Sequence, residues 1–423
     1  MGVIINIDKA LEQHATYNVL REPLNQMLTY QQEAWERSNP IDLLFNRASM
    51  DRFQKTFAST IGFDHAFKET NDYAVAPIFN TAEGFSATYR TRTFQGGFII
   101  TQQTMEDGEL GFAKDNATAF MTRWHGDIVE YCMASIAGGF GKAYEWGYDS
   151  ENKTRLKLDS ADTVDGDVMN ANKVPLFSNA HTIVARDPDT DSLANDAAIT
   201  AMNTAGSRKQ SNLFYADLKL GGDDMGQIAK LADVINQVIT YMENLRDDNG
   251  KRAGVIGAKT IVTGNDPRLK GYIEAALKND TFGPGYGLNP AMGRATLETT
   301  PYLMDIPQCK VINGCCQGFF IIDKSYNAAN HGLELTERIP LTLNVSEKKN
   351  PYGISYDGRQ RFDVNVATWR GIAYVYVGTP AGNGENGWDK LANFTKVEPV
   401  ATIVKEVHVM NPTSDPVNTK AVQ

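Results

Sequence analysis

Residues 110–141 read LGFAKDNATAFMTRWHGDIVEYCMASIAGGFG, and this stretch decides the fold. Apolar side chains recur there and just beyond at every fourth position: Phe120, Trp124, Ile128, Cys132, Ile136, Phe140 and Tyr144. This spacing predicts a long amphipathic helix over about residues 110–137. The helix would be about 40 Å long and would end at the glycines of residues 138–141. Such a helix is expected to act as a spine on which the other elements pack.

The segments before this helix predict an arm and a projecting ribbon. Residues 8–48 carry apolar side chains at loose helical spacing and are interrupted by Pro23 and Pro40, which predicts short helices. Residues 71–104 are rich in Thr, Tyr, Phe and Ile and alternate in polarity, which predicts a long β-hairpin punctuated by Gly84 and Gly96–Gly97. A hairpin that is polar on both faces buries no core alone, so it needs a partner.

The segments after the spine helix predict a mixed lobe and then long strands. A short helix is predicted over Leu193–Ala205, and the sequence SNLFYADLKLGGDD, residues 211–224, predicts a turn region. The clearest amphipathic helix follows over residues 225–245, with Gly250 as its C-terminal stop. From Pro307 onward the chain is predicted to be mostly β, including a short strand at Val400–Val409.

A strand–turn–helix unit and a loop complete the lobe. KTIVTG, residues 259–264, predicts a buried strand, and Asp266 with Pro267 predicts a capped helix start. The sequence TFGPGYGLNPAMGRA, residues 281–295, predicts a glycine-rich loop. The chain is therefore predicted to be an α+β protein.

The stretch PLFSNAHT, residues 175–182, is the strongest candidate for chemistry because Ser178 and His181 lie three residues apart. A Ser–His hydrolase needs a nucleophile on a strained turn and an acid that orients the imidazole. Neither a flanking glycine nor such an acid is apparent, so Phe177 and His181 are predicted to be structural. A hydrolase stays the minor alternative. The scattered histidines and the glycine-rich stretches match no metal-binding or phosphate-binding spacing, so no cofactor is predicted.

The net charge, the lack of targeting signals and the cysteine content limit the kinds of partner and compartment that are expected. The formal net charge is −10 over 423 residues, which argues against a surface that grips nucleic acid, because phosphate binding needs clustered Lys and Arg. An acidic wall could still enclose a nucleic acid without binding it. No signal peptide or membrane-length apolar run is apparent. The four cysteines form no C-x-x-C pair and are expected to be reduced thiols in a cytosolic setting.

Three stretches carry a resemblance to a known family: FIITQQTMEDGELGF at residues 98–112, IVEYCMASIAGGFG at residues 128–141, and PLFSNAHT. The first is similar to the end of an extended loop that leads into a spine helix, and the second to the glycine-rich close of that helix. The third is similar to a Pro-Leu-Phe-Ser segment followed by His in Mu-like and related phage head proteins. Together with the order of elements, they resemble the major capsid proteins of tailed bacteriophages, which have the Hong Kong 97-type fold.

The resemblance implies a domain map. An N-terminal arm would cover residues 1–70 and an extended loop residues 71–104. A peripheral domain would cover residues 105–209 and 331–378, an axial domain residues 210–330, and a C-terminal extension residues 379–423. Some relatives join their subunits through a loop lysine, but residues 71–104 contain no Lys, so non-covalent contacts are expected. A long cleaved scaffold segment at the N-terminus is not expected, which favours a separate scaffolding protein.

The resemblance also implies a function: a non-enzymatic major capsid protein whose hexamers and pentamers form an icosahedral head around double-stranded DNA. It would be assembled in the host cytoplasm and located in the virion. Expected partners are further copies of itself, a scaffolding protein, a portal and decoration proteins, with no membrane. An encapsulin-like compartment that holds cargo enzymes is the alternative within the same fold. The residues expected to make assembly contacts are Phe85, Tyr89, Arg90, Arg92, Phe94, Phe282, Tyr286 and Arg294.

Overall fold

The computed structural model describes residues 4–7, 26–35, 39–61, 82–107, 110–140, 144–145, 153–154, 175–182, 186–187, 192–193, 209–220, 225–247, 252–282, 288–312, 315–349, 352–378 and 394–399. The α-helices are α1 (26–35), α2 (Gln102–Glu106), α3 (Leu110–Gly138), α4 (Met225–Glu243), α5 (Pro267–Lys278) and α6 (Lys324–Ala329). Short 3₁₀ helices cover Pro40–Leu43, Pro301–Asp305 and Pro307–Cys309.

The strands divide into long ones and short pairs. The main strands are β1 (Ile4–Ile7), β2 (Asn46–Ser49), β3 (Gln54–Ile61), β4 (Ala82–Arg90), β5 (Arg92–Thr101), β6 (Leu213–Ala216), β7 (Lys259–Gly264), β8 (Ala295–Thr300), β9 (Gly318–Asp323), β10 (Leu333–Lys349), β11 (Tyr352–Val366), β12 (Ile372–Val377) and β13 (Thr395–Lys396). Two-residue strands pair Tyr144–Glu145 with Lys153–Thr154, His181–Thr182 with Lys209–Gln210, Arg186–Asp187 with Ser192–Leu193, and Val311–Ile312 with Cys315–Cys316.

The spine helix forms where the four-residue spacing predicts it, as α3 over Leu110–Gly138. Its two halves differ. The N-terminal half alternates exposed and buried side chains, whereas every residue of the segment 131–140 is buried. The helix therefore begins on the surface and ends inside the protein. An amphipathic stripe describes only its first half, because the second half is surrounded by apolar neighbours.

A six-stranded sheet forms the centre of the molecule, in the order β8-β7-β9-β12-β6-β13. All residues of β9 and β12 are buried, as is typical of strands covered on both faces. One hydrophobic cluster joins these strands to α4, α5 and the C-terminal half of α3. Asp266 caps α5 by accepting hydrogen bonds from the backbone amides of Arg268 and Leu269, and Pro267 is the first helical residue.

One sequence prediction about this sheet is wrong, and the strand order also bears on the predicted domain map. The segment 211–224, predicted as a turn region, contains the strand β6, which pairs in parallel with β12. Its four residues LFYA show no alternation, because a parallel strand buried on both faces is a short continuous apolar run. The domain map groups residues 372–377 with residues 331–371. These residues form β12, however, which lies between β9 and β6 among the strands of the predicted axial lobe.

A second sheet has the order β1-β10-β11-β5, and β2 also pairs with β10. Strands β10 and β11 are antiparallel and have register shifts near Ile339. Pro340 lies at this irregularity, as expected because proline has no N–H to donate to the ladder. The N-terminal strand β1 pairs in parallel with residues 342–345 of β10. No local pattern in the sequence predicts this pairing, since its partner lies more than 300 residues away.

The predicted hairpin over residues 71–104 is wrong in its pairing. Strand β4 pairs antiparallel with β3, which begins at Gln54, while β5 pairs with β11 in the second sheet. Thr91 separates β4 from β5, and both glycine sites lie inside strands rather than in turns. A Cβ on Gly97 would lie 2.5 Å from the carbonyl oxygen of Tyr356. This glycine therefore serves the close approach of two strands.

The arm is partly helical. Helix α1 packs through Leu28 against Ala117 and Met121 of α3, and Pro40 begins a 3₁₀ helix capped by Asn39. Residues 46–49 form β2 rather than the end of the predicted helical arm. Leu193, the first residue of the predicted helix 193–205, is in a strand. The rest of that helix, Pro23, Gly250 and the strand predicted at 400–409 lie outside the described residues. Within the described ranges, no helix is both long and apolar enough to cross a membrane.

Candidate functional site

The segment PLFSNAHT places two large apolar side chains in the core. Leu176 and Phe177 are buried, and the Phe177 ring stacks on Phe140 with 4.4 Å between ring centroids. The Phe177 amide donates a hydrogen bond of 3.0 Å to the carbonyl oxygen of Gly139. A Cβ on Gly139 would lie 3.3 Å from the Phe177 ring. The segment thus closes over the glycine end of α3 and joins it to the central sheet.

His181 is the centre of a buried hydrogen-bond network. Its Nε2 lies 3.1 Å from the side-chain oxygen of Asn212 and 3.2 Å from the Leu176 carbonyl oxygen, so this nitrogen carries the proton and donates. Asn212 in turn donates to the Leu176 carbonyl and accepts from the Ser178 amide. The His181 ring stacks on Trp369 with 4.0 Å between centroids. The network links the segment to the strand β6 that follows Asn212.

This arrangement does not assemble a hydrolase site. Burial lowers the pKa of His181 to about 3, so its imidazole is neutral at ordinary pH. Ser178 Oγ accepts a hydrogen bond of 3.1 Å from the Ala180 amide, which makes a local side-chain turn. Among the described hydrogen bonds of PLFSNAHT, none joins Ser178 Oγ to His181. The nucleophile and base that the hydrolase alternative requires are therefore not in contact.

Two of the expected assembly residues are buried inside the chain, and an assembly role for them stays a prediction. Tyr89 is 1% exposed, and its hydroxyl donates a 2.9 Å hydrogen bond to the His331 carbonyl. Phe282 is 2% exposed and belongs to the main hydrophobic cluster. Phe94 is half-buried and stacks on Phe362 with 4.4 Å between centroids. These aromatic side chains contribute to intramolecular packing, since the chain itself covers them.

The three expected arginines have different surroundings. Arg90 has an exposed side chain at the end of β4. Arg92 is half-exposed and lies 3.4 Å from Asp363. Arg294 makes two hydrogen bonds of 2.7 Å to Glu243, which tie the end of the glycine-rich loop to α4. The side chain of Phe85 and the whole of Tyr286 lie outside the described residues. An assembly role for the exposed residues stays a prediction.

The base of the β3–β4 ribbon is a small cluster that the sequence does not reveal. Met50 and Tyr89 are buried there with Phe57 and Ala367 packed against them. The Phe57 ring lies 4.1 Å from the His331 ring, and His331 has a left-handed backbone with φ of 51°. Residues other than glycine seldom adopt this left-handed conformation, and His, Asn and Asp adopt it more often than the rest. It turns the chain between α6 and β10, so that its carbonyl reaches Tyr89.

A buried carboxylate lies beside this cluster. Glu334 is 4% exposed, and one of its oxygens lies 3.2 Å from Nδ1 of His331. Burial raises the pKa of Glu334, while the charges of His331 and Lys55 oppose that shift. Its Oε2 is buried and has no hydrogen-bond partner within the described part of the chain. The described contacts at the base of the ribbon therefore include polar and ionisable groups as well as the apolar cluster.

The last part of the glycine-rich loop, residues 288–293, presents apolar side chains to solvent. Leu288 is 86% exposed and Met292 is 52% exposed. Asn289 fixes this turn: its amide donates to the carbonyls of Ala276 and Asn279, and its oxygen accepts from the Ala291 amide. The two apolar side chains are thus held outward by a turn that is itself rigidly anchored. The sequence predicts the loop but not this anchor.

A cleft of about 750 Å³ opens between the arm, the spine helix and the end of β8. Trp35 stacks on His125 at 4.6 Å in its wall, and His125 donates a 3.0 Å hydrogen bond to Gln32. Thr300 is buried there, and its hydroxyl has no hydrogen-bond partner among the described groups. The other lining residues are mostly neutral: Gln31, Ala34, Asn39, Pro40, Asp42, Leu43, Thr122, Gly126, Thr299, Pro301 and Tyr302.

Ionisable side chains form no recognisable metal site in the described ranges, where no group of three or more His, Cys, Asp or Glu is suitably placed. Cys132, Cys309 and Cys316 are buried free thiols. The Lys259–Asp323 ion pair is buried at 2.8 Å, and Lys259 also donates to the carbonyls of Val255 and Gly257. Asp323 caps α6, so this pair holds strand and helix ends together.

No protein-family model and no curated protein matches this sequence. Among solved structures, the chain is similar to one in the satellite phage P4 procapsid including the Sid protein, with a TM-score of 0.41, 12% identity, and coverage of 82% of this chain and 91% of that one. It is similar to the capsid of Ralstonia phage GP4, with a TM-score of 0.41, 8% identity, and coverage of 78% and 85%. It is also similar to the virus-like particle from Pyrococcus furiosus, with a TM-score of 0.39, 8% identity, and coverage of 86% and 100%. All three TM-scores lie below 0.5.

Proposed function

We propose that this protein is a shell subunit: a major capsid protein whose copies assemble into hexamers and pentamers around double-stranded DNA. One observation carries the proposal. The β3–β4 ribbon pairs only with itself among the described strands and is joined to the body by a small cluster. A two-stranded ribbon is marginally stable alone, so contact with a neighbouring copy supplies the buried area that it lacks.

The proposed domain map follows the strand pairing. The extended loop is the ribbon with its ends at residues 54 and 90, in place of residues 71–104. The axial domain is the six-stranded sheet with α4 and α5, and it includes β12. The peripheral domain is α3 with the second sheet. Residues 1–53 form the arm, whose strands β1 and β2 extend the second sheet, and residues after 378 form the C-terminal extension, apart from the short strand β13.

Exposed apolar side chains and the net charge indicate which partners the surface suits. The exposed apolar pair Leu288 and Met292 suits a contact between copies at the tip of the axial domain. The net charge of −10 suits an enclosing wall that does not grip the DNA. Under this proposal the protein works with a scaffolding protein, a portal and decoration proteins, assembles in the host cytoplasm and resides in the virion.

The proposal is tested by comparing the assembly of the wild type with that of two matched variants. Met292→Asp and Met225→Asp change the same residue type at similar exposure, 52% and 43%. Met225 begins α4, and Arg294 is bound to Glu243 at the other end of that helix, about 27 Å away. In negative-stain microscopy, the wild type and Met225→Asp should give closed shells or rings of five and six. Met292→Asp should lower particle yield at least tenfold.

The thermal stability of each variant serves as the control for correct folding. Both variants should keep the thermal midpoint of the wild type, because exposed substitutions usually change stability by less than about 0.5 kcal/mol. A wild-type protein that stays monomeric even with its scaffolding protein present would overturn the proposal. The contents of purified particles distinguish this proposal from the encapsulin-like alternative, since an encapsulin-like compartment would hold protein cargo and no packaged DNA.

A further inference from the structure

The edge strand β8 has one side that no described strand covers. It pairs in parallel with β7 through all six residues, and it is the last strand of the central sheet on that side. Thr296 and Glu298 are exposed, so solvent reaches the face of β8 that carries them. An uncovered edge presents backbone N–H and C=O groups that can bind another strand.

The free edge leads into the cleft described above. Thr299 and Thr300, the last residues of β8, line this cleft together with Pro301 and Tyr302. The buried Thr300 hydroxyl without a partner lies at this junction. Neutral amides, hydroxyls and aromatic rings are suited to bind an uncharged peptide backbone and its apolar side chains. The edge and the cleft together favour an extended polypeptide as the occupant.

The chain itself supplies a segment of the right kind. Residues 400–409 read VATIVKEVHV, which is rich in β-branched residues and predicts a strand. The chain is fixed just before this segment: the Val397 amide donates to the Tyr215 carbonyl, and Gln237 donates to the Glu398 carbonyl. The segment therefore starts next to β13, at the edge of the sheet opposite β8.

This starting point decides which copy receives the strand. Five strand spacings separate β13 from β8, which is about 24 Å at about 4.8 Å per spacing. An extended chain needs about seven residues to cover that distance. Crossing the chain's own sheet would use residues 400–406 and leave little of the ten-residue strand to pair. The edge of β8 in a second copy has no such restriction.

We propose that residues 400–409 of one copy pair with the free edge of β8 in a neighbouring copy. Donor and acceptor lie on opposite edges of the same sheet, so the contact is head-to-tail. A head-to-tail contact generates a ring when its rotation closes. The inference rests on the proposed shell function and deepens it, since it names a contact that could build rings of five and six.

Hydrogen exchange on assembled full-length protein tests the pairing. Val404→Pro removes one donor from the middle of the predicted strand, and Val422→Pro places the same change beyond it. In the wild type and Val422→Pro, amides of residues 295–300 should exchange at least tenfold more slowly after assembly than in the monomer. In Val404→Pro this protection should be lost, while residues 259–264 of the inner strand β7 stay protected in every sample.

A peptide keeps the test independent of variant folding. A labelled peptide of residues 400–410 should bind the full-length Val404→Pro protein saturably in fluorescence anisotropy, and the same peptide with Val404→Pro should not. Equal β8 protection in both variants, or protection already present in the monomer, would overturn the inference. Shells that form with β8 unprotected would overturn it too and leave the shell function intact. A wild type that forms no shells speaks against the shell function itself.

Discussion

The central sheet and the β3–β4 ribbon are held in place by different amounts of buried surface. Strands β9 and β12 are buried along their whole length and belong to a cluster that includes three helices. Among the described residues, the ribbon meets the body through the small cluster of Met50, Tyr89, Phe57 and Ala367 and through hydrogen bonds between the Arg90 backbone and the Asn365 side chain. The sheet therefore has a stability of its own, whereas the described part of the ribbon shares only a small apolar cluster with the body. Under the proposed function a subunit needs both, because its body must stay constant while its contacts adapt to different neighbours.

The largest loss of unfolding free energy is expected from a substitution in the core beside the central sheet. Phe177→Ala removes a buried ring that packs on Phe140 and lies 5.6 Å from Phe320, centroid to centroid. Truncation of a buried Phe costs about 3–5 kcal/mol, and urea denaturation should show a loss of that size. Ser178→Ala, one residue further, loses one local hydrogen bond and should cost about 1 kcal/mol. Equal losses in both variants would contradict the assignment of Phe177 as the core residue of this segment.

A decrease in pH is expected to cause an intermediate loss of unfolding free energy. Burial lowers the pKa of His181 to about 3, from an ordinary value of 6.5. Between these values the unfolded chain binds a proton that the folded chain does not, so stability is full above pH 6.5 and falls as the pH drops. From pH 6.5 to pH 4.5 the loss is at most about 2.7 kcal/mol, at about 1.4 kcal/mol per pH unit.

His181→Gln isolates this contribution, since the amide can still donate to Asn212 but does not titrate. Its unfolding free energy should depend less on pH in that window than that of the wild type, by about 2 kcal/mol. Ser178→Ala retains the imidazole and should keep the wild-type slope. If His181→Gln and the wild type had parallel pH profiles, the buried imidazole would not be neutral in the folded state.

The smallest effect is expected at the ribbon. Tyr89→Phe removes the hydroxyl that donates to His331 and should leave the global unfolding free energy nearly unchanged. Amides of β3 and β4 should nevertheless exchange about fivefold faster, as expected for a lost hydrogen bond of about 1 kcal/mol. Tyr352→Phe, at a side chain that is 65% exposed, is the matched control. A global loss as large as that of Phe177→Ala would show that the ribbon and the sheet unfold as one unit.

The sequence predicts those elements whose signals are local. The spacing from Phe120 to Phe140 predicts α3, and Asp266 with Pro267 predicts the start of α5, because helix periodicity and capping involve near neighbours. Strand β6 is missed because its four residues show no alternation. The β3–β4 pairing is missed because residues 62–81 separate the two strands, so no tight turn signals it. Nor does the sequence show that Tyr89 and Phe282 are buried, since the residues that cover them are distant.

The order of strands in the central sheet has a consequence for synthesis on the ribosome. Strand β12 lies between β9 and β6, but it is made after β6, β7, β8 and β9. Until residues 372–377 leave the ribosome, β6 has no β12 to pair with and the sheet stays in two parts. A growing or prematurely ended chain thus lacks the finished body that could join other subunits. Under the proposed shell function, translation order itself would keep incomplete copies out of a particle.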